Sequence, residues 1–142
     1  MKVDYGVRAL VELAQHDGGA PLQTSVIAGR QGIPEAYLDQ VLTILHKAGF
    51  IRSRRGPLGG HVLALAPVDI NLGMVMNTLD GKSPLLDCLI EPADCRFSEA
   101  CAQREVWGFL EEAVQQLLKT TTIAEIARRQ SRLTADRALH LV

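Results

Sequence analysis

Cys88, Cys95 and Cys101 are the three cysteines of this 142-residue chain, and they fall within a single short stretch, CLIEPADCRFSEAC. An odd number of thiols does not close a disulfide framework, and the spacing Cys-x6-Cys-x5-Cys is wider than the CxxC pairs that hold structural zinc. Residues six apart on a helix point about 240° away from each other, so Cys95 and Cys101 cannot share a helix face and hold one small cofactor. The segment is therefore expected to be a loop that wraps a metal cluster. Three inert buried thiols are the competing reading, because free cysteine is among the most buried residue types. The neighbours Glu91, Pro92, Asp94, Arg96, Ser98 and Glu99 argue for an exposed loop instead. Zinc is an alternative metal.

A second constellation is basic. Lys47, Arg52, Arg54 and Arg55 occur with no acid between them, although fifteen basic against sixteen acidic residues leave the whole chain at a net charge of -1. Positive charge is thus focused where a duplex backbone would lie. A solvated basic hairpin is the bland alternative, and Arg52 fits that description. Arg54 and Arg55, beside the glycine loop GPLGG, are better placed to reach phosphates or the minor groove. Upstream, Glu35, Ala36, Tyr37, Asp39 and Gln40 form the polar start of a helix, where helix-turn-helix proteins reach base edges or phosphates. His16, His46 and His140 have no partners at ligand spacing and read as surface or helix-end residues, while His61 reads as a packing or backbone-contact residue.

The elements that must position these groups follow from periodicity. Val3, Val7, Leu10, Val11 and Ala14 recur at helical spacing and predict a helix from about Asp4 to Gln15. After the breaker HDGGAPL, Thr24 or Ser25 can cap a short helix that Gly32 closes. Pro34 opens a longer helix carrying Tyr37, Leu38, Val41, Leu42 and Leu45, which ends near Gly49. A short helix, a glycine turn and a longer helix form a helix-turn-helix candidate. FIRSRR and HVLALA then read as strands joined by GPLGG, a hairpin that would serve as a wing. Leu72, Val75, Met76 and Leu79 make one face of the next helix, closed by Gly81. From about Gln103 to Lys119, Trp107, Leu110, Val114 and Leu117 form a narrow 3-4-3 seam suited to packing against a second copy of itself. TTTIAEIARR reads as a short capped helix, and the tail after Ser131 carries no packing signal.

The expected fold is mainly α with a small β wing: a winged helix-turn-helix over residues 1-80, a cysteine-rich loop over 81-102, a dimerisation helix and a short packing helix over 103-130, and a tail over 131-142. With 47% hydrophobic residues the chain can build a real core. Its apolar runs are too short to span a bilayer, and the N-terminus lacks the apolar stretch of a signal peptide. A cytoplasmic location is expected, where reducing conditions keep thiols available for metal.

Taken together, DYGVRALVELA, GIPEAYLDQVLTILHKAGFIRSRRGPLGG, INLGMVMNTLDG, the cysteine triplet and EVWGFLEEAVQQLLKTTTIAEI resemble the IscR/NsrR family of winged-helix transcriptional regulators. The resemblance runs from Asp4 to about Arg128. It implies that Cys88, Cys95 and Cys101 hold an iron-sulfur cluster of two or four irons that senses iron-sulfur status, iron, nitric oxide or redox state. A fourth ligand is required. Some members place a histidine three residues after the third cysteine; Arg104 stands there in this chain and cannot ligate. Others use a carboxylate from the first helix of the partner subunit, a position that Asp4 matches. Asp4 equally suits a helix N-cap, so both readings stay open.

The same resemblance maps base-reading positions onto Ala36, Asp39 and Gln40, a backbone contact onto Tyr37 and a wing contact onto Arg55. Arg54, Gly56, Gly59 and Gly60 complete the DNA-facing set. Ala36 replaces a hydroxyl residue and Asp39 a longer glutamate, so the operator is expected to differ; His61 stands where the family usually has tyrosine. Asp39 could accept from a cytosine amino group, and Gln40 could pair with adenine. The expected function is that of a homodimeric repressor of transcription whose cluster tunes binding to double-stranded DNA. The alternatives are a cluster-free regulator using its cysteines as redox thiols or zinc ligands, and a small thiol or iron-sulfur enzyme. The enzyme reading lacks a base near the triplet in sequence.

Overall fold

The computed structural model describes residues 2-81 and 89-141, so Cys88 lies outside the described residues. Among the described residues there are six α-helices and one hairpin: α1 (Lys2–Gln15), α2 (Thr24–Gln31), α3 (Glu35–Lys47), β1 (Ile51–Arg54), β2 (Gly60–Leu63), α4 (Leu72–Leu79), α5 (Ala102–Thr120) and α6 (Ile123–His140). The winged helix-turn-helix expected from the sequence is present. Among the described residues, no helix is long and apolar enough to cross a membrane.

Apolar residues at helical spacing give α1 and α3 their inward faces. Leu10 from α1, Ile27 from α2 and Leu38, Leu42 and Leu45 from α3 are fully buried, and Ile51, Ile70, Val75 and Ile123 close around them. Helix α1 is the hub, packing against α3, α4 and α6. The hairpin is antiparallel, with Ile51 opposite Leu63 at its buried base and Arg54 opposite Gly60 at the loop. Leu22 bridges to His61 and adds a strand-like third segment.

Three terminal assignments differ from expectation. Helix α1 begins at Lys2, so Asp4 lies inside the first turn and is not its N-cap; there its charge still favours the helix N-terminus, and it stands 3.7 Å from Arg8 one turn on. Gln23, not Thr24 or Ser25, occupies the N-cap of α2 without a side-chain cap bond, because the Thr24 hydroxyl is engaged by the His61 ring. Pro34 is the N-cap of α3 and not its first helical residue. Gly32 closes α2 in the left-handed conformation, as the breaker pattern suggested.

The C-terminal part is more helical than its pattern indicated. Thr122 caps α6, its Oγ1 accepting from the Glu125 N–H at 3.2 Å. Beyond the expected short helix, α6 continues to His140, with residues 128-141 exposed. Its Arg, Gln, Leu and Ala content favours helix without burial, whereas apolar periodicity reports only on a packed face. At the other junction, Asn71 caps α4 and pairs with Thr122, while the Leu72 N–H donates to Thr121 O at 3.0 Å. This locks the start of α4 to the turn between α5 and α6.

Periodicity gave no sign of Glu12, which sits at 5% exposure within the apolar face of α1. Its Oε1 accepts from Arg30 Nη1 at 2.9 Å and its Oε2 from Gln31 Nε2 at 2.7 Å, and Arg8 donates to the Gln31 carbonyl. A buried carboxylate is tolerated when its oxygens are so paired. It fixes the last turn of α2 to α1. Glu12→Ala should lower stability by about 1–3 kcal/mol in urea unfolding, because two donors lose their charged acceptor. A change within about 0.5 kcal/mol, typical of an inconsequential surface site, would show that the network contributes nothing.

Candidate nucleic-acid interface and cysteine loop

Helix α3 and the wing face each other across a groove of about 530 Å³. Asp39, Thr43 and Lys47 line it from α3, Gln23 and Thr24 from the start of α2, and Arg54, Arg55 and Gly56 from the wing. Ala36 and Gln40 are exposed on α3 but lie outside this lining. Tyr37 is half-buried, its ring edge-on to Tyr5 at 5.3 Å between centroids, so part of its surface is spent on packing against α1. Lys47, Arg52, Arg54 and Arg55 form no ion pair among the described residues. Their charge therefore remains available to an anionic backbone.

The wing glycines act through shape. Gly60 adopts φ +138°, and a Cβ there would stand 2.6 Å from the Leu22 carbonyl carbon and oxygen. Gly59 is buried, its own Cβ would meet Arg54 O at 2.1 Å, and its N–H donates to Gly56 O at 2.9 Å. Both let the loop fold back onto the hairpin, and both line the groove.

That close approach seats the wing. The His61 N–H donates to Leu22 O at 2.7 Å, and the Leu22 N–H donates to His61 O at 3.1 Å. The His61 ring is hydrogen bonded through Nε2 to Thr24 Oγ1 at 2.8 Å and through Nδ1 to Ser53 Oγ at 2.7 Å. Gln23 Nε2 donates to Pro57 O at 3.2 Å. Burial holds the imidazole below its ordinary pKa, the nearby Asp39 carboxylate pulls it partly back up, and His46 pushes it down. His61 thus packs within the chain, its backbone paired with Leu22 and its ring with Thr24 and Ser53. Gln23 and Ser53 were not singled out from the sequence and Thr24 was read only as a possible cap, because only the tertiary bridge at Leu22 brings them to the groove; Thr43, one turn after Asp39, was findable from helical spacing.

Away from the groove, the cysteine segment is built of short turns, as expected of a loop. Cys95 follows the 3-10 turn Pro92–Asp94, and Cys101 is the residue immediately before α5, at the end of a second turn, Ser98–Ala100. Both are unpaired and half-buried. Between them Ser98 is 6% exposed, and its Oγ has no hydrogen-bond partner among the described residues. A buried hydroxyl without a partner fits a donor aimed at a group outside the described residues, and two soft sulfurs flanking it fit iron or zinc. The described residues contain no set of three metal-ligating side chains, Cys88 being outside them. Asp4 is 63% exposed beside Arg8 on α1.

Helix α5 buries none of its residues in the single chain. Trp107, Leu110, Val114 and Leu117, the expected seam, are 38%, 44%, 39% and 66% exposed, and Val106 and Phe109 extend the uncovered apolar surface. One side of α5 packs on α4.

Comparison with known proteins places these features in context. The sequence model named Rrf2, described as an iron-dependent transcriptional regulator, matches residues 1–129. Protein rrf2 of Nitratidesulfovibrio vulgaris is 35% identical over 127 residues, covering 89% of this chain and 85% of its own. The solved structure of CymR, the global cysteine regulator of B. subtilis, is similar with a TM-score of 0.77 at 31% identity, covering 91% of this chain and 95% of its own. The T. potens IscR structure gives a TM-score of 0.74 at 32% identity, over 92% and 85% of the two chains.

The wing geometry makes a direct prediction. Gly60→Ala should cost about 1–3 kcal/mol in urea unfolding, since the new Cβ collides with backbone and not with a movable side chain. It should also weaken DNA binding. Unchanged stability and affinity would mean that the Leu22–His61 bridge does not hold the wing.

Proposed function

The chain belongs to the Rrf2 family of transcriptional regulators, and on that premise we propose that it is a homodimeric repressor that reads duplex DNA with α3 and the wing and carries an iron-sulfur cluster in its cysteine loop. The observation that carries the DNA reading is the groove itself. Arg54 and Arg55 from the wing and Lys47 from the end of α3 border it without ion-pair partners among the described residues. Arg54 and Arg55 hold phosphates, and Asp39 and Gln40 face base edges. Regulation of transcription, not catalysis, is the activity.

Cys88, Cys95 and Cys101 would hold the cluster, with Asp4 of the partner subunit as the candidate fourth ligand. Such a group, when bound, supplies thiolate-held iron whose potential and lability answer to charge and solvent access. The chain's own residues prepare the place: Cys101 immediately precedes α5, and Ser98, between Cys95 and Cys101 in sequence, buries a hydroxyl that has no hydrogen-bond partner among the described residues. The seam of α5 brings two chains together through Trp107, Leu110, Val114 and Leu117. Reducing surroundings, as in cytoplasm, suit this arrangement. The similarity to the B. subtilis cysteine regulator supports a second reading, a cluster-free regulator using Cys95 and Cys101 as redox thiols or zinc ligands.

Anaerobic purification with iron, sulfide and visible-absorption analysis separates the two. Stoichiometric iron and sulfide, lost on replacing any of Cys88, Cys95 or Cys101 by alanine while a folded dimer remains, is the expected result. Full iron and sulfide in all three variants, or a colourless zinc-loaded wild type, would overturn the cluster assignment. For the DNA face, Arg54→Ala or Arg55→Ala should weaken binding to all duplexes and reduce the salt slope by about one unit per lost phosphate contact. Gln40→Ala should cost roughly 1–3 kcal/mol on the operator and little on random DNA. Equal losses on both duplexes would remove Gln40 from base reading.

A further inference from the structure

We propose that His61 is a proton-taking positioning residue of the DNA groove: it ties the wing to α2 in the free protein and gains a proton from solvent when a duplex backbone enters the groove. The inference rests on that groove being the DNA face.

The geometry makes the proton admissible without loosening the wing. A neutral imidazole has one donor and one acceptor nitrogen, so of the two hydroxyls bound to it, Thr24 Oγ1 at 2.8 Å and Ser53 Oγ at 2.7 Å, one accepts from the ring and the other must spend its own hydrogen on it. An imidazolium donates from both nitrogens. Both hydroxyls then act as acceptors, both ring links survive, and one further O–H is released. Thr24, Ser53 and His61 all line the groove, so the released O–H and the new positive charge arise where a phosphate would be received.

Every neighbouring element bears on the balance. From α3, Asp39 favours the proton and His46 opposes it, while Lys47 and, from the wing, Arg54 and Arg55 border the same groove. From the α1–α2 connection, His16 and Asp17 share a small cavity with His61. Burial, and after it His46, hold the pKa of the ring below the ordinary histidine value in the free protein, against the upward pull of Asp39. Phosphate neutralises Arg54 and Arg55 and adds negative charge of its own, which reverses the balance. Asp39 would otherwise repel that phosphate; with His61 protonated it has a cation beside it.

The sign follows from linkage. Binding that raises the pKa takes up a proton, so affinity rises as pH falls through the interval between the free and DNA-bound values, and is flat above the bound value. Complete uptake of one proton corresponds to tenfold per pH unit.

Two measurements on the 142-residue chain under anaerobic reducing conditions test this. In anisotropy titrations of a fluorescent duplex from about pH 5.5 to about pH 8 at fixed ionic strength, wild type should bind about threefold to tenfold more tightly per unit fall within the interval. His61→Gln should lose most of that slope, and His46→Gln should keep it. By NMR, the His61 ring resonance should titrate with a higher midpoint when duplex is present. A slope that is absent in wild type or retained in His61→Gln overturns the proposal, as does a His61 midpoint that stays or falls with DNA. A wild type that binds no duplex at any pH would instead overturn the reading of the groove on which the proposal rests.

Discussion

The backbone pairing of Leu22 with His61 is the constraint on which the groove between α3 and the wing depends. Two hydrogen bonds, at 2.7 and 3.1 Å, draw the hairpin against the segment that enters α2, and they form only because Gly60 brings bare backbone against the Leu22 carbonyl. Side-chain bonds from Thr24, Ser53 and Gln23 reinforce the same junction. Without it Arg54 and Arg55 would sit on a free basic hairpin, whose charges would be solvated and poorly directed. With it they border a groove whose opposite wall is α3. A two-stranded hairpin alone is marginal in water, so its position has to come from such tertiary attachments.

The attachment extends inward through α1. Glu12 holds the end of α2 to α1 by paired hydrogen bonds, and α1 in turn packs against α3, α4 and α6. Helix α5 rests on α4, and Cys101 opens α5. A contiguous packed path therefore runs from Cys101 through α5 and α4 to α3. Contiguity gives a route for coupling; its strength is a separate, measurable quantity. The uncovered seam on α5 adds a second consequence, because a two-fold partner seated there would set the separation of two recognition helices, and half-site spacing follows from that separation.

Much of this was legible from residue types and spacing. The apolar repeats of α1, α3 and α4, the glycine turn after α2, the basic hairpin and the loop character of the cysteine segment all express local rules that tertiary context did not override. Glu12 escaped because a glutamate among leucines and valines is ordinarily read as outward-facing; only the approach of Arg30 and Gln31 from another helix makes its burial tolerable. Asp4 suited a cap by residue type, yet helix α1 starts two residues earlier, and both positions favour a carboxylate at a helix N-terminus. The run beyond Ser131 lacked an apolar stripe and still continues α6, since helix propensity and burial are separate properties. The inward members of the groove, Thr24 and Ser53, depend on a contact between residues far apart in sequence and leave no local trace.

One reading head, formed by α3 and the wing together, is the claim that ties these features to function. Amide chemical-shift mapping of the isotope-labelled protein during titration with duplex DNA tests it most directly. Perturbations concentrated on residues 35-40 and 53-61, both appearing in the same titration, are the expected outcome. Perturbations confined to the exposed arginines of α6, with α3 and the wing unchanged, would contradict it.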